Sequence, residues 1–331
     1  MRTPSDALRA GPPAALAAAA LFGTAGTAQA LGPAGTTPMG VGAVRLLLGG
    51  LVLAVLVQAT GGWSGRSRDL WRRPVVLAAA ASVATYQVAF FAGVERAGVA
   101  VGTLVAVGSA PVAAGLLAWP VLGRRPTPTW AVATAIGVAG LAALCAGGGA
   151  GEGASTGSGV LLALAAGASI ACFSVLAARA MPAGGPRLPF LATSFLVAAA
   201  ALVPLALAQP LGWLLEPSGM LLALHLGVVT MAVANVAYAR GLAALGPGPT
   251  STLLLAEPVV ASVLAVAVLR EPLTLPTLVG AGLVVAALGV QGAGVTRLHQ
   301  RPCRGRTART GQGIDVPRTR SILGARSPSG V

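Results

Sequence analysis

Residues 253–290, LLLAEPVVASVLAVAVLREPLTLPTLVGAGLVVAALGV, leave the chain few folds to choose from. An apolar run over 250–269 carries one carboxylate, Glu257, beside Pro258. A charged turn, Arg270-Glu271, follows, and a second apolar run opens at Leu275. Two helices of spanning length joined by so short a turn form a transmembrane hairpin, because backbone in lipid must satisfy its own N–H and C=O groups. The hairpin also recurs. Residues 106–143 align with it at a constant offset of 147, placing Pro111 on Pro258, Val112 on Val259, Ala114 on Ala261, Leu117 on Leu264, Leu122 on Leu269 and Thr127 on Thr274.

Composition fixes the solvent. Of 331 residues 55% are hydrophobic and 9% charged, with a mean hydropathy of +0.82, more apolar surface than a soluble domain of this size can hide. The net charge of +14 does not mark a nucleic-acid partner. All the basic residues are Arg; eight lie in the last 35 residues and most others sit beside apolar runs, where they set topology. Cys145, Cys172 and Cys303 lack disulfide or metal spacing, and His225 and His299 have no partner at ligand spacing. No metal or cofactor is expected. There is no phosphate-binding G-x-x-x-x-G-K-[ST] loop and no Lys at all, so any transport is driven by a gradient rather than by ATP.

Ten apolar runs of spanning length are present: 14–31, 39–59, 75–93, 99–122, 129–147, 158–178, 188–208, 220–241, 250–269 and 275–293. The first also reads as a signal peptide ending in Ala28-Gln29-Ala30. Its small-residue character matches 158–178, which opens the second half, and this favours a retained helix. With both termini cytoplasmic, 19 Arg fall on the inner side and only Arg45, Arg96 and Arg270 on the outer. The expected fold is an all-α integral membrane protein of the inner (plasma) membrane. Its ten transmembrane helices form two repeats, 14–147 and 158–293, flanked by a cytoplasmic segment 1–13 and a disordered Arg-rich tail 294–331. Five spans per half is an odd number, so the second copy enters from the opposite side. Inverted repeats of this kind are a transporter architecture with its site at the midplane.

The repeat reaches the third and eighth spans if one residue of slack is allowed in the following loop. Gln87, Phe90 and Gly93 then fall on Asn235, Tyr238 and Gly241, amide, aromatic and Gly along one helical face. These faces, with Tyr86 and more weakly Thr103, are candidates for a substrate cavity. They serve equally well as interhelical hydrogen-bond partners, worth roughly 0.6 kcal/mol each. Glu257, the one acid well inside an apolar run, is a candidate proton or cation site, or else a packing carboxyl bonded to amides freed around Pro258. Arg45 can meet a substrate carboxylate, Glu257 or Glu95, or snorkel to headgroups. Pro111 and Pro258 are candidate hinges in matched spans. Gly282, Ala286, Gly289 and Ala293 form a small-residue stripe that fits an internal partner or a second copy, making a homodimer a candidate assembly.

The ten-span 5+5 layout, Arg45 in VGAVRLLLGGLVLA and the ending LAEPVVASVLAVAVLREPLTLPTLVGAGLVVAALG resemble the EamA-like branch of the drug/metabolite transporter superfamily over about 14–293. The second half carries the more specific pattern, E-P in the ninth span and R-E-P-L-T before the tenth. The first half departs from it: Arg124 stands where a turn acid is expected, and Ala110 opposite Glu257. The resemblance implies a secondary active transporter of a small organic solute, such as an amino acid, a related metabolite or a drug, acting as an exporter. The partners expected are that solute and the lipid bilayer. Two other classes compete. A non-catalytic assembly subunit would dock through the small-residue helices. A membrane-embedded enzyme would need a nucleophile–base or metal constellation that these residues do not supply.

Overall fold

Prolines punctuate the chain. Pro38, Pro74, Pro217 and Pro247 each open a helix, where a missing N–H removes no hydrogen bond. In the computed structural model, which describes residues 4–63, 69–147, 157–181, 187–270, 272 and 274–299, ten helices follow in order. They are α1 (Pro4–Ala30), α2 (Pro38–Ala59), α3 (Pro74–Ala97), α4 (Val99–Leu122), α5 (Pro128–Gly147), α6 (Gly157–Ala180), α7 (Arg187–Leu207), α8 (Pro217–Leu245), α9 (Pro247–Leu269) and α10 (Leu275–His299). Among the described residues, nine of them, α2 to α10, are long and apolar enough to cross a membrane. The remaining helix, α1, is rich in Ala, Gly, Pro and Thr, which dilute its hydropathy. It nonetheless packs inside the bundle, with Ala15, Ala18 and Ala19 fully buried. Helix α10 runs on to His299, past the expected boundary at 293. The rest of the expected tail lies outside the described residues.

The packing repeats with the sequence. Helix α1 lies along α8 and α9, and α6 lies along α3 and α4; α2 meets α8 as α7 meets α3. The pairs α2–α7, α4–α9 and α5–α10 map onto themselves, so the pseudo-two-fold passes through them. Glycines make the matched crossings. A Cβ on Gly93 would stand 2.9 Å from the backbone nitrogen of Ala163, and one on Gly241 would stand 3.0 Å from Cβ of Ala15. One turn away, Gly159 touches Ala97 and Gly11 touches Leu245. Every one of these residues is related to its mate by an offset of 148. The backbone agrees: Gly98 (φ 81°) and Gly246 (φ 86°) separate α3 from α4 and α8 from α9.

At the far ends of α4 and α9 the offset has become 147. Gly123 (φ 68°) and Arg270 (φ 62°) close the two helices in the same left-handed conformation. The missing residue therefore falls inside the span, not in a loop as the sequence suggested. Helix α4 is a continuous 24 residues; α9 has 23 and breaks at Leu254-Leu255. There Leu255 and Glu257 bond three residues back, to the carbonyls of Thr252 (3.2 Å) and Leu254 (2.9 Å). Residues bonded in this way rise about 2.0 Å instead of about 1.5 Å, so two or three of them recover most of the length lost. Helix α8 departs from α3 in the other direction: it has 29 residues against 24, and its middle, His225–Val233, is a π-helix.

The largest buried cluster joins Leu46, Leu53, Phe173, Phe190, Phe195 and Tyr238 of α2, α6, α7 and α8. Outward faces carry Val55, Leu161, Leu207, Leu221 and Val285, an apolar surface that suits lipid. On α10 the residues facing inward are Gly280, Val284, Ala287 and Gln291, with Gly280 and Val284 against Gly140 of α5. The stripe Gly282, Ala286, Gly289 and Ala293 is exposed, and nothing lies within 4 Å of a Cβ built at Gly282 or Gly289. It has no partner within the described fold.

Candidate functional site

The break in α9 positions the acid. Glu257 follows Pro247 by ten residues, which puts it about 15 Å along a helix axis and so near the middle of a hydrocarbon layer about 30 Å thick. It lies in the first turn of the second half of α9. Pro258 cannot donate to the Leu254 carbonyl four residues back; the Glu257 N–H takes that carbonyl instead. Helix α1 backs the break at close range, since a Cβ on Gly23 would stand 2.8 Å from the Glu257 carbonyl oxygen. The Glu257 side chain is half-buried and makes no hydrogen bond to another described residue.

Arg45 approaches from the other end of the bundle, about 10 Å into α2. Its guanidinium Nη2 donates to Gln87 Oε1 at 3.2 Å, while its Nε is buried without a partner. Gln87 is 1% exposed, and its Nε2 donates to the Gly42 carbonyl at 3.0 Å. Only Gly fits at 42, because a Cβ would reach within 2.6 Å of the Phe91 ring and 2.8 Å of Gln87 Nε2. Tyr86 stacks on Phe90 with ring centroids 5.6 Å apart, and Phe90 meets Phe91 edge-on at 5.4 Å. Arg45 lies within electrostatic reach of both Glu257 and Tyr86. One interior region thus gathers a cation, an anion and stacked aromatics from α2, α3 and α9.

The second amide–aromatic pair is placed differently. Asn235 is buried and donates to its own helix, at the Met231 carbonyl (2.9 Å). Tyr238 is 5% exposed, and its hydroxyl pairs with Ser174 Oγ of α6 at 2.5 Å. Pro111 is buried inside the unbroken α4, whereas Pro258 lies three residues beyond the break in α9.

The EamA-like transporter family matches residues 9–145 and, a second time, residues 157–290. The chain belongs to this family. It is also 37% identical over 278 residues to YwfM, an uncharacterized transporter of Bacillus subtilis (strain 168), a match that spans 82% of this chain and 90% of that protein. A crystal structure at 23% identity superposes with a TM-score of 0.75 over 89% of this chain and 99% of its own, which shows a common fold. This EamA-like protein is therefore a multi-pass membrane transporter.

Sequence reasoning passed over several contacts in this EamA-like transporter. His225 Nε2 lies 2.9 Å from Thr24 Oγ1 of α1, a hydrogen bond rather than a metal-ligand pairing. The pair sits beside a cavity of about 270 Å³ between α1 and α8, lined by Ala28, Leu31, Ser218, Leu221 and His225. Gly42 and Gly23 carried a signal only in being small residues on spans facing the site. Among the described residues no group of three His, Cys, Asp or Glu is placed to hold a metal.

Proposed function

We propose that the protein is a secondary active transporter that exports a small organic solute by alternating access around the region between Arg45 and Glu257. One observation carries the reading. A cation about 10 Å into α2 and an anion near the middle of α9 lie within electrostatic reach of each other, yet Glu257 forms no ion pair with Arg45 among the described residues. Charges in a bilayer are expensive, and those that persist pair or line a pathway. A pair held apart leaves room for something to pass. Glu257 is the coupling group, taking a proton or a cation in one state and releasing it in the other. Tyr86 and Phe90 supply an aromatic wall for the solute. The inverted repeats supply the motion, one half rocking against the other, with the break in α9 as the flexible element on one side. In this reading the protein sits in the plasma membrane with both termini in the cytoplasm.

The test is uptake by proteoliposomes of the purified full chain, with and without an imposed pH gradient, against amino acids, their derivatives and cationic drugs. Accumulation of an intact solute that depends on the gradient supports secondary transport. Chemical conversion of the solute would point to an enzyme. No movement of any solute would favour an assembly subunit, for which the exposed Gly282–Ala293 stripe of α10 is the docking face.

A further inference from the structure

Gln87 spends both ends of its amide on the fold. Its oxygen accepts from Arg45 Nη2 at 3.2 Å, its nitrogen donates to the Gly42 carbonyl at 3.0 Å, and it is 1% exposed. A side chain this buried, with its oxygen and nitrogen each turned to a protein partner, is not presented to a transported solute; what it does is hold a guanidinium. The hold is geometrically strict. Helices α2 and α3 approach so closely here that a Cβ on Gly42 would stand 2.8 Å from Gln87 Nε2. The amide orientation is also determined, since only its oxygen can accept from Arg45 and only its nitrogen can donate to a carbonyl. Arg45 is not neutralised by this contact. A guanidinium keeps its charge under all ordinary conditions, and an amide oxygen carries none. Arg45 Nε is buried and unpartnered, and no described carboxylate is paired with the side chain. A fixed, half-satisfied guanidinium at depth in a membrane protein is a fork lacking its anion.

We propose that Arg45 is the anion anchor of the transport site, that Gln87 is the residue that positions it, and that the transported solute carries a carboxylate or a comparable planar anionic group. The proposal rests on the transporter reading for its biological sense but not for its test. The carboxylate takes the free edge of the guanidinium, and the rest of the solute extends along Tyr86 and Phe90. Glu257 lies beyond, within electrostatic reach. An anion seated on Arg45 screens it from Glu257, which is how solute occupancy is sensed at the coupling group.

The experiment measures binding without transport. Purified full-length protein in detergent is unfolded thermally in the presence of matched probes: benzoate and benzamide, leucine and leucinamide, 4-phenylbutyrate and 4-phenylbutyramide. At least one carboxylate is expected to raise Tm in a saturable way while its amide does not. Arg45→Gln removes the difference, with affinity falling roughly thirtyfold or more. Gln87→Glu places a fixed carboxylate on the fork and abolishes the binding, whereas Arg45→Lys, which keeps charge without the fork, retains only part of it. Circular dichroism identifies any variant that fails to fold, and the remaining variants then decide the matter. Equal binding of acid and amide, no binding of any probe, or carboxylate binding that survives Gln87→Glu would each overturn the anchor. Binding without movement in proteoliposomes would refute secondary transport and leave the anchor standing; gradient-driven movement indifferent to the carboxylate would do the reverse.

Discussion

Gly93 of α3 meets the backbone of Ala163 of α6 so closely that a Cβ there would lie 2.9 Å from the Ala163 nitrogen, and Gly241 of α8 meets Ala15 of α1 in the same way. The two crossings are one contact made twice, once in each repeat. Overpacking a tight contact costs typically about 1–3 kcal/mol, and here the obstacle on one side is backbone, which cannot rotate away. Gly93→Ala and Gly241→Ala are both expected to lower the unfolding temperature of the purified protein. Gly93→Ala, facing main chain, is the more severe. Thermal unfolding of each variant checks this, and unchanged stability in both would mean the helices do not cross as described.

The Tyr238 hydroxyl is occupied by Ser174 Oγ within the largest buried cluster. Tyr238→Phe is expected to cost about 0.6 kcal/mol, the mean for an interhelical hydrogen bond in a membrane protein. It leaves the apparent affinity for solute unchanged. Tyr86→Ala, by contrast, removes half of the stacked pair with Phe90 and weakens solute affinity. Uptake kinetics on both variants separate the two aromatics; an equal loss of affinity in each would place Tyr238 in the solute path.

Thr37 caps α2 by accepting from the Gly40 N–H at 3.1 Å. Thr37→Ala is expected to lower stability by about 1 kcal/mol, as the loss of a helix cap usually does. Because α2 carries Arg45 about two turns further on, the same variant reports whether fraying that end disturbs the anchor: stability falls, while solute affinity holds. Thermal unfolding together with uptake measures both.

Much of the fold was legible because the determining signals are periodic and long. Apolar runs bounded by Pro, Gly and Arg gave the helices, and the recurrence of Pro111 at Pro258 gave the repeat. The break at Leu254-Leu255 was not legible, because a single missing residue looks like alignment slack until Gly246 and Arg270 are seen to match Gly98 and Gly123 in backbone conformation. The residue types at the site could be named from sequence, but their division of labour could not. Gln87 and Asn235 occupy matched positions, yet one holds Arg45 and the other bonds to its own helix at Met231. The difference lies in what the facing helix offers, Arg45 and Gly42 of α2 in the first case, and no pattern within α3 or α8 reports it.

The missing residue in α9 offers its own test. Inserting one Ala between Leu254 and Leu255 gives α9 the 24 residues of α4 and relieves the tightened turn. One added helical residue also rotates Glu257 by about 100° relative to the first half of α9. The variant is expected to fold and to lose gradient-driven uptake; full uptake would show that the break has no part in coupling.

Glu257 is the centre of the proposed mechanism, and Glu257→Gln tests it most directly in one preparation of proteoliposomes assayed in two ways. The first assay is uptake driven by a pH gradient; the second is exchange of labelled for unlabelled solute with equal pH on both sides. If Glu257 couples the proton to the solute, the variant loses gradient-driven accumulation but still exchanges, because the amide mimics the protonated carboxyl and the solute site remains. If gradient-driven uptake proceeds at the wild-type rate, Glu257 is a packing residue at the break in α9, and coupling resides elsewhere in the protein.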